Sequence, residues 1–95
     1  MSEVLVGGKA INYGALPETL RDGIKSWIED GIPPESFLRA VLENDLYRAY
    51  AYGDRESLSQ MGAICNWFRW SAPVGCCGSR ETCKEWAMRH DRIWT

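Results

Sequence analysis

Leu20, Ile24, Trp27 and Ile28 fall at i, i+4, i+7 and i+8, one face of a helix, and the run is cut off by Gly31-Ile32-Pro33-Pro34. Glycine favours the left-handed backbone that ends a helix, and proline cannot continue one. The same device recurs at Gly53-Asp54 and at Pro73-Val74-Gly75. Helix-period stripes between hard stops dictate short helices joined by tight corners. In 95 residues there is room for one such domain and no second core.

The expected architecture is therefore all-α: a small bundle of about four short helices over residues 17–95, preceded by an N-terminal arm over 1–16. In that arm "EVLV" reads as a short strand without a partner, which must pack on the helices or pair with another chain. Gly7, Gly8 and Gly14 loosen the rest of the arm. Pro17 suits a first helical position, with Glu18 in the first turn. A second helix is expected from about Pro34 to Tyr52, with Phe37, Leu38, Val41, Leu42, Leu46 and Ala49 inward and Glu35, Arg39 and Glu43 as charge pairs on another face. Asp54 is the expected N-cap of a third helix, carrying Leu58, Met61, Cys65 and Phe68 as a stripe that Ile64 and Trp67 widen. Ser79 caps a fourth, with Cys83, Trp86, Ala87 and His90 inward.

Charge is uneven. Residues 1–54 hold five Lys/Arg against nine Asp/Glu, a balance of −4; residues 55–95 hold six against four, or +2. The C-terminal half is the better face for an anion, though far short of the basic stripe that duplex DNA requires. No apolar run approaches the ~20 residues of a membrane span, and the N-terminus has no basic leader, so the expectation is a cytoplasmic protein with free thiols.

Four readings compete for "SAPVGCCGSRETCKEW", residues 71–86. Zinc is disfavoured because Cys76, Cys77, Cys83 and His90 match no knuckle spacing, so neither metal nor cofactor is expected. A thiol enzyme would need His90 near Cys76 or Cys77, which lie at the other end of the same helix; no catalytic residue is assigned. Gly78, Ser79 and Arg80 could cradle an anion at a helix start, with Arg69 near and Trp67 or Trp70 stacking on a base. The plainer alternative is an αα-corner, Gly75 taking left-handed backbone and Ser79 capping.

Five tryptophans, four tyrosines and two phenylalanines look excessive for so small an interior. Trp67, Trp70, Trp86 and Trp94 with Tyr47, Tyr50 and Tyr52 are too many for one interior, so some of them are expected to supply an interface, most simply in a homo-oligomer. Asn44-Asp45 reads as a polar contact at a helix crossing or a ligand-facing amide, against the alternative of an outer face where Asp45 pairs with Arg48.

The pattern from Ile32-Pro33-Pro34 through Phe37-Leu38, Asn44-Asp45-Leu46, Ala72-Pro73, Gly78-Ser79 and Glu81 to Trp86 resembles a group of short accessory proteins of tailed phages and prophages, over roughly residues 13–87. The chain departs from that pattern at Cys77, where the group carries Trp, and at Cys83, an aliphatic position in the group. The resemblance implies a non-enzymatic phage protein acting by stoichiometric binding against host defence. A sequestered signalling nucleotide or a host protein bound through an aromatic surface would each fit.

Overall fold

The computed structural model describes residues 3–6 and 9–94, with side chains from residue 11 onward; Gly7 and Gly8, expected to loosen the arm, lie outside the described residues. Two strands, β1 (Glu3–Val6) and β2 (Lys9–Asn12), pair antiparallel with Val4 opposite Ile11. A 3₁₀ turn over Tyr13–Ala15 leads into α1 (Glu18–Asp30), α2 (Ser36–Leu42), α3 (Leu46–Tyr52), α4 (Arg55–Ser59), α5 (Met61–Trp70) and α6 (Arg80–Arg89). The protein is a small all-α domain with a two-stranded ribbon attached. EVLV does form a strand, and its partner is KAIN of the same chain. The first sixteen residues are not a loose arm either, because Ile11, Tyr13 and Leu16 are buried in the common core.

Two of the four expected helices are each divided in two. Asn44 takes left-handed backbone at φ 61 and ends α2, after which the Asp45 carboxylate accepts the Arg48 N–H and starts α3. Asn and Asp tolerate these positions better than other non-glycine residues. Asn44-Asp45 is thus a break and a cap, with Asp45 also 3.9 Å from Arg48, rather than a buried polar contact. The third expected helix divides at Gln60 into α4 and α5. Gly31 (φ 68) closes α1, while Asp54 and Ser79 cap α4 and α6, as the sequence indicates. Gly75 is left-handed at φ 91, but the C-cap of α5 is Ser71. Pro17 stands at the N-cap of α1, one place before the first helical position.

The molecule measures 33 × 32 × 18 Å, so its short dimension is under two helix diameters. Its core nevertheless contains Trp27, Trp67, Trp86 and Trp94, none more than 6% exposed. Each indole N–H reaches an acceptor far along the chain. Trp27 Nε1 donates to Cys76 O (2.9 Å), Trp67 to Asn12 O (3.0 Å), Trp86 to Trp27 O (3.0 Å) and Trp94 to Glu43 Oε2 (2.6 Å). A buried indole needs such a partner to avoid an unmet donor. Asp91, at φ 57, turns the chain back after α6 and brings Trp94 between the Trp27 ring (4.9 Å) and the Arg39 guanidinium (4.8 Å). The expected aromatic surplus therefore shrinks to Trp70 and the tyrosines of α3: Trp67, Trp86 and Trp94 belong to the interior.

The charged stripe of α2 also departs from expectation. Glu35 accepts the N–H groups of Phe37 and Leu38, Arg39 stacks on Trp94, and Glu43 holds the Trp94 indole. Glu35 thus caps the helix, while Arg39 and Glu43 bind the C-terminal tail. Leu46 and Cys65, expected inward, are exposed; α3 and α5 turn Ala49 and the Met61–Ile64–Trp67 edge to the core.

Candidate functional site

A surface depression of about 420 Å³ lies where α2, α5 and the loop before α6 meet, lined by Val41, Asn44, Cys65, Phe68, Arg69, Cys77 and Gly78. Val41, Asn44 and Cys65 also line a smaller hollow with Asp45, Leu46, Ala49 and Met61, so the groove continues to the start of α3. Its walls arise from the local sequence. The break at Asn44 swings α3 away from α2, and Pro73 and Gly75 carry the chain from α5 back across the end of α2. There the Gly78 N–H donates to Leu42 O at 2.8 Å. Two other depressions, against α1 and α4, are bordered by Glu18, Asp22, Glu35, Asp54 and Glu56, and their acidic rims suit no anion.

The six residues singled out in the sequence are distributed unequally around this groove. Arg69 and Gly78 line it. Trp70 is 66% exposed, and the Arg69 guanidinium lies 5.0 Å over its ring. Ser79 and Arg80 follow Gly78 into α6, Arg80 exposed at its first position. Trp67 is not part of the surface. It is buried with Tyr13 stacked on it at 6.0 Å and Phe68 edge-on at 5.1 Å, so it cannot stack on a bound base.

The cradle itself is satisfied from within. The Gly78 amide is spent on Leu42, and the Ser79 hydroxyl accepts the Thr82 N–H at 3.1 Å and meets Thr82 Oγ1 at 2.9 Å. Of the two sequence readings of this loop, the αα-corner accounts for these bonds. Arg69 and Arg80 add side-chain charge around this corner.

The surface that sequence reasoning undervalued is α3. Its seven residues, LYRAYAY, bury one side chain, Ala49, while Leu46, Tyr47, Tyr50 and Tyr52 are all at least half exposed and Tyr47 is 85% exposed. The available signal was Asn44-Asp45, a left-handed former followed by a capping residue, which marks a new helix and rotates everything after it.

The thiols are sorted by burial. Cys76 and Cys83 are fully buried, Cys77 is partly covered at the groove wall, and Cys65 is exposed. Burial, with smaller contributions from Cys77 and Glu43, pushes Cys83 up to about 12. Cys76 is also held protonated, first by the hydrogen bond it shares with Cys77 and then by burial; that bond favours the Cys77 thiolate, holding Cys77 below the usual thiol range. His90 is occupied elsewhere, its Nδ1 3.0 Å from Trp86 O and its ring 5.5 Å from that of Trp86. Among the described residues, no group of three or more His, Cys, Asp and Glu is arranged to hold a metal ion. Nor is any helix there long and apolar enough to cross a membrane.

Comparison of the chain with protein-family models, with curated proteins and with solved structures gave no match in any of the three.

Proposed function

We propose that this chain acts by stoichiometric, non-enzymatic binding of another protein, docking through the outer face of α3 and the groove that runs from Leu46 to Arg69 and Cys77. One observation carries the reading: a helix that buries only an alanine while holding Leu46, Tyr47, Tyr50 and Tyr52 in solvent. Tyrosine and leucine at such density contribute little to stability when exposed, whereas desolvating them against a partner is the commonest source of binding energy at interfaces. At its other end the groove is lined by Arg69, whose guanidinium lies over the exposed Trp70 ring, and both residue types are enriched in interface hot spots.

The phage setting of this proposal rests on the residue pattern between Ile32 and Trp86. On that pattern, the partner is a host defence protein and the chain its inhibitor. Sequestration of a signalling nucleotide is the weaker alternative, since Trp67 is covered, the Gly78 N–H donates to Leu42 O and the Ser79 hydroxyl is taken up in accepting the Thr82 N–H.

Capture from a bacterial lysate tests the reading, using the native chain and a Tyr47→Ala/Tyr50→Ala variant of equal thermal stability. One enriched protein, lost with the variant, is the expected result. Equal capture by both would discard the α3 face. A concentration-dependent dimer in light scattering, abolished by the same substitutions, would replace the foreign partner with a second copy.

A further inference from the structure

Cys76 and Cys77 play no part in the binding surface argued above beyond Cys77 forming one wall, yet their surroundings are unusual for two thiols. Cys77 lines the groove beside Arg69, open to small solutes, while Cys76 is fully buried behind it. The peptide that joins them is fixed on both sides: Cys76 O accepts the Trp27 indole N–H, and the next amide, Gly78 N–H, donates to Leu42 O.

We infer that Cys77 is a site of reversible oxidation by hydroperoxides, with Cys76 as its resolving thiol, and that the resulting vicinal disulfide loosens the core through Trp27. In the first step the Cys77 thiolate attacks the terminal oxygen of the hydroperoxide and the O–O bond breaks. Sulfur is oxidised to a sulfenic acid, and the departing alkoxide takes up the proton that Cys77 released. In the second step the Cys76 sulfur attacks the Cys77 sulfur, the S–O bond breaks, and water leaves carrying the Cys76 proton. Two thiols and one hydroperoxide thus give one disulfide, one alcohol and one water.

Geometry decides what that bond does. Adjacent Cα atoms are about 3.8 Å apart across a trans peptide, below the ~4.4 Å lower limit of ordinary disulfides. Closing the ring twists the 76–77 peptide, and Cys76 O is the acceptor of the Trp27 N–H. Strained disulfides are the easily reduced, regulatory kind. The thiolate that begins the reaction is favoured by the neighbouring Cys76 thiol, and Cys77 lines a depression that a small hydroperoxide can enter.

The sequence provides a convenient assay. Trypsin cleavage after Arg69 and after Arg80 isolates residues 70–80, which contain Cys76 and Cys77 and neither of the other cysteines. Reduced native protein is treated with hydrogen peroxide, its free thiols are blocked with N-ethylmaleimide in denaturant so that buried Cys83 is reached, and the digest is weighed. Fragment 70–80 is expected two hydrogens light and unalkylated, with Cys65 and Cys83 alkylated, and with Tm lowered until dithiothreitol restores it. In Cys76→Ser, which keeps a hydrogen-bond donor beside Cys77 but cannot close a bridge, the reaction should stop at a Cys77 sulfenic acid that dimedone labels. A bridge from Cys77 to Cys83 or Cys65, or alkylation of Cys77 in the treated protein, would overturn the assignment. An intact vicinal bridge with unchanged Tm would overturn the link to Trp27.

Discussion

The Trp94 indole N–H donates to Glu43 Oε2 across 2.6 Å, so the second-last residue of the chain is tied to the end of α2. Glu43 is nearly buried there and has Arg48 at 3.4 Å on its other oxygen. The Trp94 ring fills the space between Trp27 and Arg39. Trp94→Ala should therefore cost about 3–5 kcal/mol, as for other large aromatic truncations in cores. Exposed Ile93→Ala next to it should cost well under 1 kcal/mol. Urea denaturation of the two variants checks the contrast, and equal losses would mean that Trp94 is not seated as described.

Gly31 is held at φ 68, and a Cβ there would meet His90 Cγ at 2.7 Å. Left-handed backbone costs a non-glycine residue about 1–2 kcal/mol, and crowding a packed contact adds about 1–3 kcal/mol. Gly31→Ala should lower stability by about 2–5 kcal/mol. Gly62→Ala, in α5 with open space around it, should be neutral or slightly stabilising. Thermal melts of the pair decide this.

Ser79 and Arg80 separate a helix cap from an anion site. Removing the Ser79 hydroxyl deprives the Thr82 N–H of its acceptor, so Ser79→Ala should cost about 1 kcal/mol with no ligand present. Arg80→Ala should change stability by less than about 0.5 kcal/mol. Cyclic di- and trinucleotides should leave the melting temperature of the native chain unchanged. A clear rise that Arg69→Ala removes would revive nucleotide sequestration.

Alkaline pH should unfold this protein early. Cys83, with an ordinary value of 9.0, is pushed up to about 12 by burial, and Cys76 and Tyr13 are raised too. For Tyr13 the main cause is burial, followed by the neighbouring Glu29 carboxylate, although neither Tyr13 Oη nor Glu29 Oε2 has a hydrogen-bond partner. A raised acid binds more protons folded than unfolded. The stability it contributes is whole below the unfolded value and drains away as pH climbs toward the folded one. Cys77, held below the ordinary thiol value, works the other way, so stability should rise slightly with pH up to about pH 8.5. Above that it should fall by up to about 1.4 kcal/mol per pH unit for each buried thiol. Denaturation at stepped pH measures the slope, and Cys83→Ala should make it shallower.

The helix ends were legible because one residue decides each: Gly31, Asp54 and Ser79 do what their types do elsewhere. Asn44 was readable in principle, but the helix-compatible stripe on either side of it masked the break, and the misplaced faces of Leu46 and Cys65 resulted from that. The short ribbon was readable as well, because EVLV and KAIN are separated in the sequence by Gly7-Gly8, a two-residue spacing typical of hairpins and not only a loosening of the arm. Of the six residues expected from the sequence to bind a ligand, Arg69, Trp70, Gly78, Ser79 and Arg80 lie in or beside the corner between α5 and α6. Trp67 could not be assigned from the sequence, because its acceptor, Asn12 O, lies 55 positions away. A pattern with a period of three or four residues carries no word of such a distant partner.

The same four indoles bear on kinetics. Their bonds join residues 49, 59, 55 and 51 positions apart, so more than half the chain must be drawn together before any one of them forms. Helical proteins ordinarily fold fast because their contacts are local, and speed falls as mean sequence separation grows. This chain should be a slow folder for its class, since none of the four indole latches can be closed by local winding alone.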